Sequence, residues 1–109
     1  MVDQLREAPE DLRARTKEFA LRIIRMYTAL ETTPVAQVLG KQVLRSGTSI
    51  GAHYREASRA RSNAEFVSKL ETALQELDES LYWLELIVDS KTLPEERLAS
   101  LREEAKPER

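Results

Sequence analysis

The chain has no cysteine, one histidine (His53), one tryptophan (Trp83) and three glycines among 109 residues. Without cysteine there is no disulfide framework and no thiolate metal site, and one histidine leaves little from which to build a zinc site. The paired Glu-x-x-His motifs that hold two metals inside helical bundles are missing, since His53 and Glu56 give the reverse order once, with no second copy. Ser46, Ser49 and Ser58 have no base and orienter to activate them apart from that same His53. Glu71, Glu76, Asp78 and Glu79 read as a solvated run on an acidic helix. No apolar run approaches the ~18 residues that span a bilayer. The opening Met1-Val2-Asp3-Gln4-Leu5-Arg6-Glu7 has neither the basic start nor the apolar core of a signal peptide. Together these absences predict a cytoplasmic, non-catalytic protein with no cofactor, no metal, no membrane segment and no small-molecule substrate.

What is present is charge, sorted along the chain. Charged residues make up 33% and hydrophobic ones 41%, the balance of a folded domain, and the length fits one domain spanning residues 1–109. The net charge of −2 conceals an asymmetry: residues 13–61 carry ten Arg/Lys against three Glu, whereas residues 62–109 carry six Arg/Lys against twelve Asp/Glu. Two readings compete. Basic and acidic helices attract each other within one bundle or between subunits, or the basic half offers a surface to nucleic acid. An isoelectric point near 5.5 counts against strong nonspecific nucleic-acid binding.

Helix signals divide the chain into four segments, approximately 9–31, 34–60, 63–90 and 94–106. Pro9, Glu10 and Asp11 suit a helix start, because proline is tolerated in the first turn and acids favour that end of the dipole. Leu12, Phe19, Ile23, Met26, Tyr27 and Leu30 follow at helical spacing. Thr33 before Pro34 is a natural N-cap for the second helix, which turns Val35, Leu39, Val43, Ile50, Tyr54 and Ala57 towards a core. Ser62 and Glu65 form a capping box for the third, whose stripe is Phe66, Leu70, Ala73, Leu77, Leu81, Leu84 and Val88. The fourth retains only Leu98, Leu101 and Ala105. Short connections imply antiparallel neighbours, so the predicted fold is all-α: an antiparallel up-down-up-down four-helix bundle with a short fourth helix. That helix, at ~13 residues against ~22 to 28 for the others, covers about half of the groove they leave.

Several residues fall outside this simple scheme. On a helical wheel Arg45, Ser49 and Glu56 lie within ~40° of each other, opposite the apolar stripe of the second helix. They are read either as a solvated face or as contacts to a neighbouring subunit or a ligand. Gly40, Gly47 and Gly51, with Ser58, make a seam of small residues on one flank of that helix. Glycine inside a helix costs ~1 kcal/mol relative to alanine, so the seam predicts close approach of another helix. A phosphate loop does not fit, because no strand precedes Gly47. In the third helix Tyr82, Trp83 and Leu86, with Glu79 one turn earlier, are placed by the same wheel on the side away from the core. Exposed aromatics favour interface centres, so Arg45, Ser49, Glu56, Glu79, Tyr82, Trp83 and Leu86 are the candidate oligomer interface.

The run Arg45-Ser46-x-x-Ser49-Ile50, Tyr54-Arg55-Glu56-Ala57, Arg59-Ala60, Glu65-Phe66, Lys69, Glu79 and Trp83-Leu84-Glu85-Leu86 spans the second and third helices. In order and spacing it resembles the small bacterial four-helix-bundle proteins first noticed as products of intervening sequences in 23S ribosomal RNA genes. The resemblance implies an antiparallel bundle that assembles with itself into a five-fold ring. A related group, the accessory proteins of diversity-generating retroelements, looks similar in ring form and engages nucleic acid and a reverse transcriptase. Those relatives are strongly basic and this chain is not. His53 also stands where such proteins usually have asparagine.

Two functions therefore stay open. The first is a homo-oligomeric structural or adaptor ring for a protein partner. The second is an RNA- or DNA-binding accessory that uses Arg13, Arg15, Lys17, Arg22, Arg25, Arg45, Arg55, Arg59 and Arg61. The two separate on whether these cations converge on one exposed surface or are neutralised against acidic third helices.

Overall fold

A computed structural model of the chain describes residues 9–90, 92 and 103–105. Three helices follow one another, α1 (Pro9–Ala29), α2 (Pro34–Ser58) and α3 (Asn63–Asp89), and residues 103–105 are helical as well. The chain is all-helical in its described residues, which contain no strand.

The joints follow from local chemistry. Thr33 caps α2, its hydroxyl accepting from the Ala36 N–H at 3.2 Å, with Pro34 in the first turn. The turn before it is clamped by Gln37, whose Nε2 donates to the Glu31 carbonyl at 3.2 Å while its Oε1 accepts from the Tyr27 hydroxyl at 3.0 Å. Ser62 caps α3 by accepting from the Glu65 N–H at 3.1 Å. The returning arm of the capping box is displaced by one residue: the Glu65 carboxylate accepts from the Arg61 N–H at 3.4 Å. α1 and α2 stop two residues short of the ends expected from periodicity, each closed by a tight i to i−3 bond, Leu30 N–H to Tyr27 O and Arg59 N–H to Glu56 O, both at 3.1 Å.

α2 packs against both other helices. Gly40 lies against Tyr27 and Leu30, Gly47 against Ile23, and Gly51 against Thr16, so the partner position on α1 falls back as α2 advances. The glycine seam is therefore the α1 contact. A Cβ at Gly40 would stand 2.6 Å from Leu30 Cδ1 and 2.9 Å from Tyr27 Cδ1, and one at Gly47 would stand 3.0 Å from Ile23 Cγ1. An alanine at Gly40 would have to push aside the Leu30 tip and the Tyr27 ring, and one at Gly47 would press on Ile23, so glycine inside the helix lets α1 pack closely here. Towards α3 the order reverses in the same way, Glu56 meeting Lys69 and Ser46 meeting Ser80.

The main core gathers Phe19, Ile23, Met26 and Leu30 from α1, Ala36, Val43 and Ile50 from α2, and Leu84 and Ile87 from α3. A second cluster of Ala57, Ala60 and Phe66, with Leu70 against it, fills the end where α2 passes to α3. Two expectations about facing are corrected. Val35 was placed in the core but is 55% exposed, because it occupies the first turn of α2 and the buried positions begin at Ala36. The buried face of α3 runs through Phe66, Ala73, Ser80, Leu84 and Ile87, while Leu77, Leu81 and Val88 flank it half-buried. Of the predicted fourth helix, Ala105 is fully buried in the main core and Glu104 pairs with Arg22. Residues 94–102 and 106, Leu98 and Leu101 among them, lie outside the described residues. No described helix is long and apolar enough to cross a membrane.

Candidate interaction surfaces

The polar residues singled out on α2 line the α2–α3 junction. The Arg45 guanidinium meets Glu76 at 3.3 Å and Glu79 more closely, with Gln42 Oε1 at 3.4 Å holding it from its own helix. At the next residue of each helix, Ser46 and Ser80 are fully buried with hydroxyls 2.8 Å apart, and Ser80 Oγ also lies 2.9 Å from the Glu76 carbonyl. Glu56 accepts from Lys69 Nζ at 3.2 Å and lies 3.9 Å from His53 Nδ1. Ser49 turns back to its own helix, donating to the Arg45 carbonyl at 2.6 Å. Arg45, Glu56 and Glu79, assigned from the wheel to a neighbouring subunit, thus have partners inside the chain. The wheel placed them opposite the apolar stripe, but a long arginine or lysine stem reaches across a flank that an angle measured at Cα leaves outside.

For Trp83 the facing differs from that of the wheel. The residue is half-buried and packs against the main core, and its indole N–H donates to Glu79 at 3.2 Å. Glu79 therefore joins Arg45 to Trp83. Tyr82 behaves as expected of a surface aromatic, 53% exposed, with its ring 5.3 Å from that of Trp83 and tilted by 55°. Leu86 is half-buried.

The basic residues separate into two groups. Arg22 pairs with Glu104, Arg25 with Glu18 at 3.6 Å, and Arg45 with α3. Arg13, Arg15, Lys17, Arg55, Arg59 and Arg61 make no side-chain ion pair with any described residue. Because Gly51 lies beside Thr16, the start of α1 and the end of α2 coincide, and these six cations collect at one end of the helix pair. Buried Tyr54 belongs to the same end: its phenol is raised above the usual value by burial, with Arg13 opposing the rise and Asp11 adding to it. Among the described residues no group of three or more His, Asp or Glu could hold a metal ion.

Ser80 and Gln42 are not singled out by the sequence, and Glu76, read there as part of a solvated acidic run, is instead turned into the α2–α3 junction by its pair with Arg45. The available signal for Ser80 was its position seven residues after Ala73 and four before Leu84, a serine in the middle of an apolar stripe. Glu76 carried no such mark among the other acids of its helix.

The arrangement has counterparts among known proteins. A crystal structure of a protein with unknown function from the S23 ribosomal protein family of Bacteroides thetaiotaomicron matches with a TM-score of 0.80 and 42% sequence identity, covering 85% of this chain and 86% of that one. None of the curated proteins matches. The model of the family described as 23S rRNA-intervening sequence protein matches residues 11–107, a span that takes in all the helix junctions described above. The chain belongs to the 23S rRNA-intervening sequence protein family.

Proposed function

We propose that residues 1–109 form one antiparallel up-down-up-down four-helix bundle, with a short fourth helix over 94–106, and that this bundle is a non-catalytic cytoplasmic protein that assembles with copies of itself. The reversed order of contacts along α1–α2 and α2–α3 supports the antiparallel arrangement, and buried Ala105 with the Arg22–Glu104 pair supports a fourth helix closing the core. One observation carries the assembly reading: large apolar side chains, Leu21, Ile24, Leu74 and Tyr82, stand exposed on outer faces whose neighbouring charges lack partners among the described residues. The assembled form is a five-fold ring acting as a structural adaptor for a protein partner, with Tyr82 and Leu86 at the subunit contact. Light scattering coupled to size exclusion should return about five times the chain mass, as expected of a heterologous contact that closes. A clean monomer at micromolar concentration contradicts the reading.

A second reading, an RNA- or DNA-binding accessory, is favoured by the collection of Arg13, Arg15, Lys17, Arg55, Arg59 and Arg61 at one end without acidic partners among the described residues. Binding of this type is phosphate neutralisation and weakens steeply with salt. Fluorescence anisotropy with a structured RNA should show micromolar, sequence-tolerant binding at low salt and little at physiological ionic strength. Tight binding that persists at physiological salt and drops on Arg55→Glu with Arg59→Glu would place this reading first.

A further inference from the structure

Two outer faces of the chain match each other in shape of pattern and oppose each other in charge. On α3, Glu71, Leu74, Asp78, Tyr82, Glu85 and Asp89 recur at intervals of three and four residues, so they share one stripe, and all six are exposed. Leu74 is 49% exposed, and none of the four carboxylates pairs with a described residue. The stripe contains no cation.

The other face lies beside the glycine seam. Arg13, Lys17, Leu21 and Ile24 recur at the same intervals on α1, with Leu21 36% and Ile24 40% exposed. Arg55, one turn on from Gly51 near the end of α2, and Arg59, the residue that caps that end, follow the glycine seam at four-residue spacing. This face contains no acid between Arg13 and Ile24, since Glu18 lies on another side of α1, where it pairs with Arg25.

Resting on the self-assembly reading above, we infer that the acidic stripe of α3 in one copy docks on the basic α1–α2 face of the next. On α3 the exposed apolar side chains lie between carboxylates and on α1 they follow the cations, so docking buries Leu74 and Tyr82 against Leu21 and Ile24 while carboxylates and cations that lack partners among the described residues meet. The two faces are different surfaces of the same chain, and setting either against itself would put like charges opposite each other. The contact is therefore heterologous, and repetition gives a ring or an open chain rather than a two-fold dimer.

Charge reversal tests this directly. Asp78→Lys with Glu85→Lys takes the α3 stripe from four negative charges to a net charge of zero, and Lys17→Glu with Arg59→Glu does the same to the four cations of the other face. All four positions are exposed, and circular dichroism should show each variant helical. Light scattering should find association of each variant alone weakened at least ~10-fold. The milder Asp78→Asn with Glu85→Gln should fall between it and the native chain, which keeps the test informative if a reversal unfolds. Mixing the two reversed chains should restore association, with the chains alternating. An odd-numbered ring cannot alternate completely, so the mixture should form even-membered rings or open chains. Native-sized assemblies from each variant alone, or a mixture that stays dissociated, overturn this contact while leaving self-assembly standing. A native chain that is itself monomeric removes both. If Lys17→Glu with Arg59→Glu abolishes RNA binding without changing assembly size, the basic face is a nucleic-acid surface and the docking inference is wrong.

Discussion

Phe66→Ala should lower the unfolding free energy by ~3–5 kcal/mol, the range for truncating a buried aromatic ring. Phe66 is fully buried in the first turn of α3, and among the described residues Ala57 and Ala60 are the other buried members of its cluster. Alanines have no side-chain torsion with which to fill the vacated space, and Leu70 is the one partly buried side chain beside it that could swing inwards. The cavity should therefore persist, and the cost should fall towards the upper part of the range. Against a total stability of order 5–15 kcal/mol for a domain, this is a large fraction. Urea unfolding followed by circular dichroism should show the midpoint drop, and a change below ~1 kcal/mol would mean that the α2–α3 joint can collapse around the loss. Arg59 and Arg61 flank the same joint, so the variant should also loosen the end of the molecule where the cations without partners among the described residues collect.

The next largest effect is expected at Trp83. Trp83→Ala should cost about 2–4 kcal/mol, below the full range for a core aromatic because the indole keeps some exposure. Trp83→Phe retains most of the packing but removes the N–H that Glu79 accepts, and should cost ~1 kcal/mol. The readout that matters is concentration dependence. A residue packed on its own core shifts the midpoint by the same amount at every protein concentration, whereas an interface residue shifts it most where assembly is strongest. If Trp83→Ala leaves the chain as stable as the native protein and only reduces its assembled mass, Trp83 belongs to the subunit contact after all.

These two residues also show what could be read from the sequence and what could not. Thr33 and Ser62 were legible as caps because capping is local: a hydroxyl meets an N–H three residues on, and both bonds are present. The glycine seam was legible because glycine inside a helix needs a reason, and the reason is α1. The place of Trp83 was not legible. A wheel reports the direction of Cα–Cβ, and a long ring can fold back over a flank and reach the core. Arg45 escaped for the same reason, its guanidinium crossing to Glu76 and Glu79 on another helix. The contact of Ser46 with Ser80 depends on how far α3 is shifted along α2, which a single sequence does not state. For the candidate surfaces, the charge asymmetry was visible, but which cations already have partners became clear only once Arg22, Arg25 and Arg45 were seen in ion pairs.

The Ser46–Ser80 pair has a consequence for how the chain finds one structure. Leucine-rich helices can slide past each other by a turn, ~5.4 Å, and still bury similar area. Here such a slip would separate the two hydroxyls: Ser80 would keep its bond to the Glu76 carbonyl, while Ser46 would lose its partner across the junction, at ~1–3 kcal/mol for an unsatisfied buried group. The same slip would carry Arg45 away from Glu76 and Glu79. A fully apolar junction would tolerate several alignments of nearly equal energy, and the serine pair makes one alignment preferred. The two small side chains thus act as a vernier mark, fixing the register of α3 on α2 and with it the position of every charge that α3 presents outward.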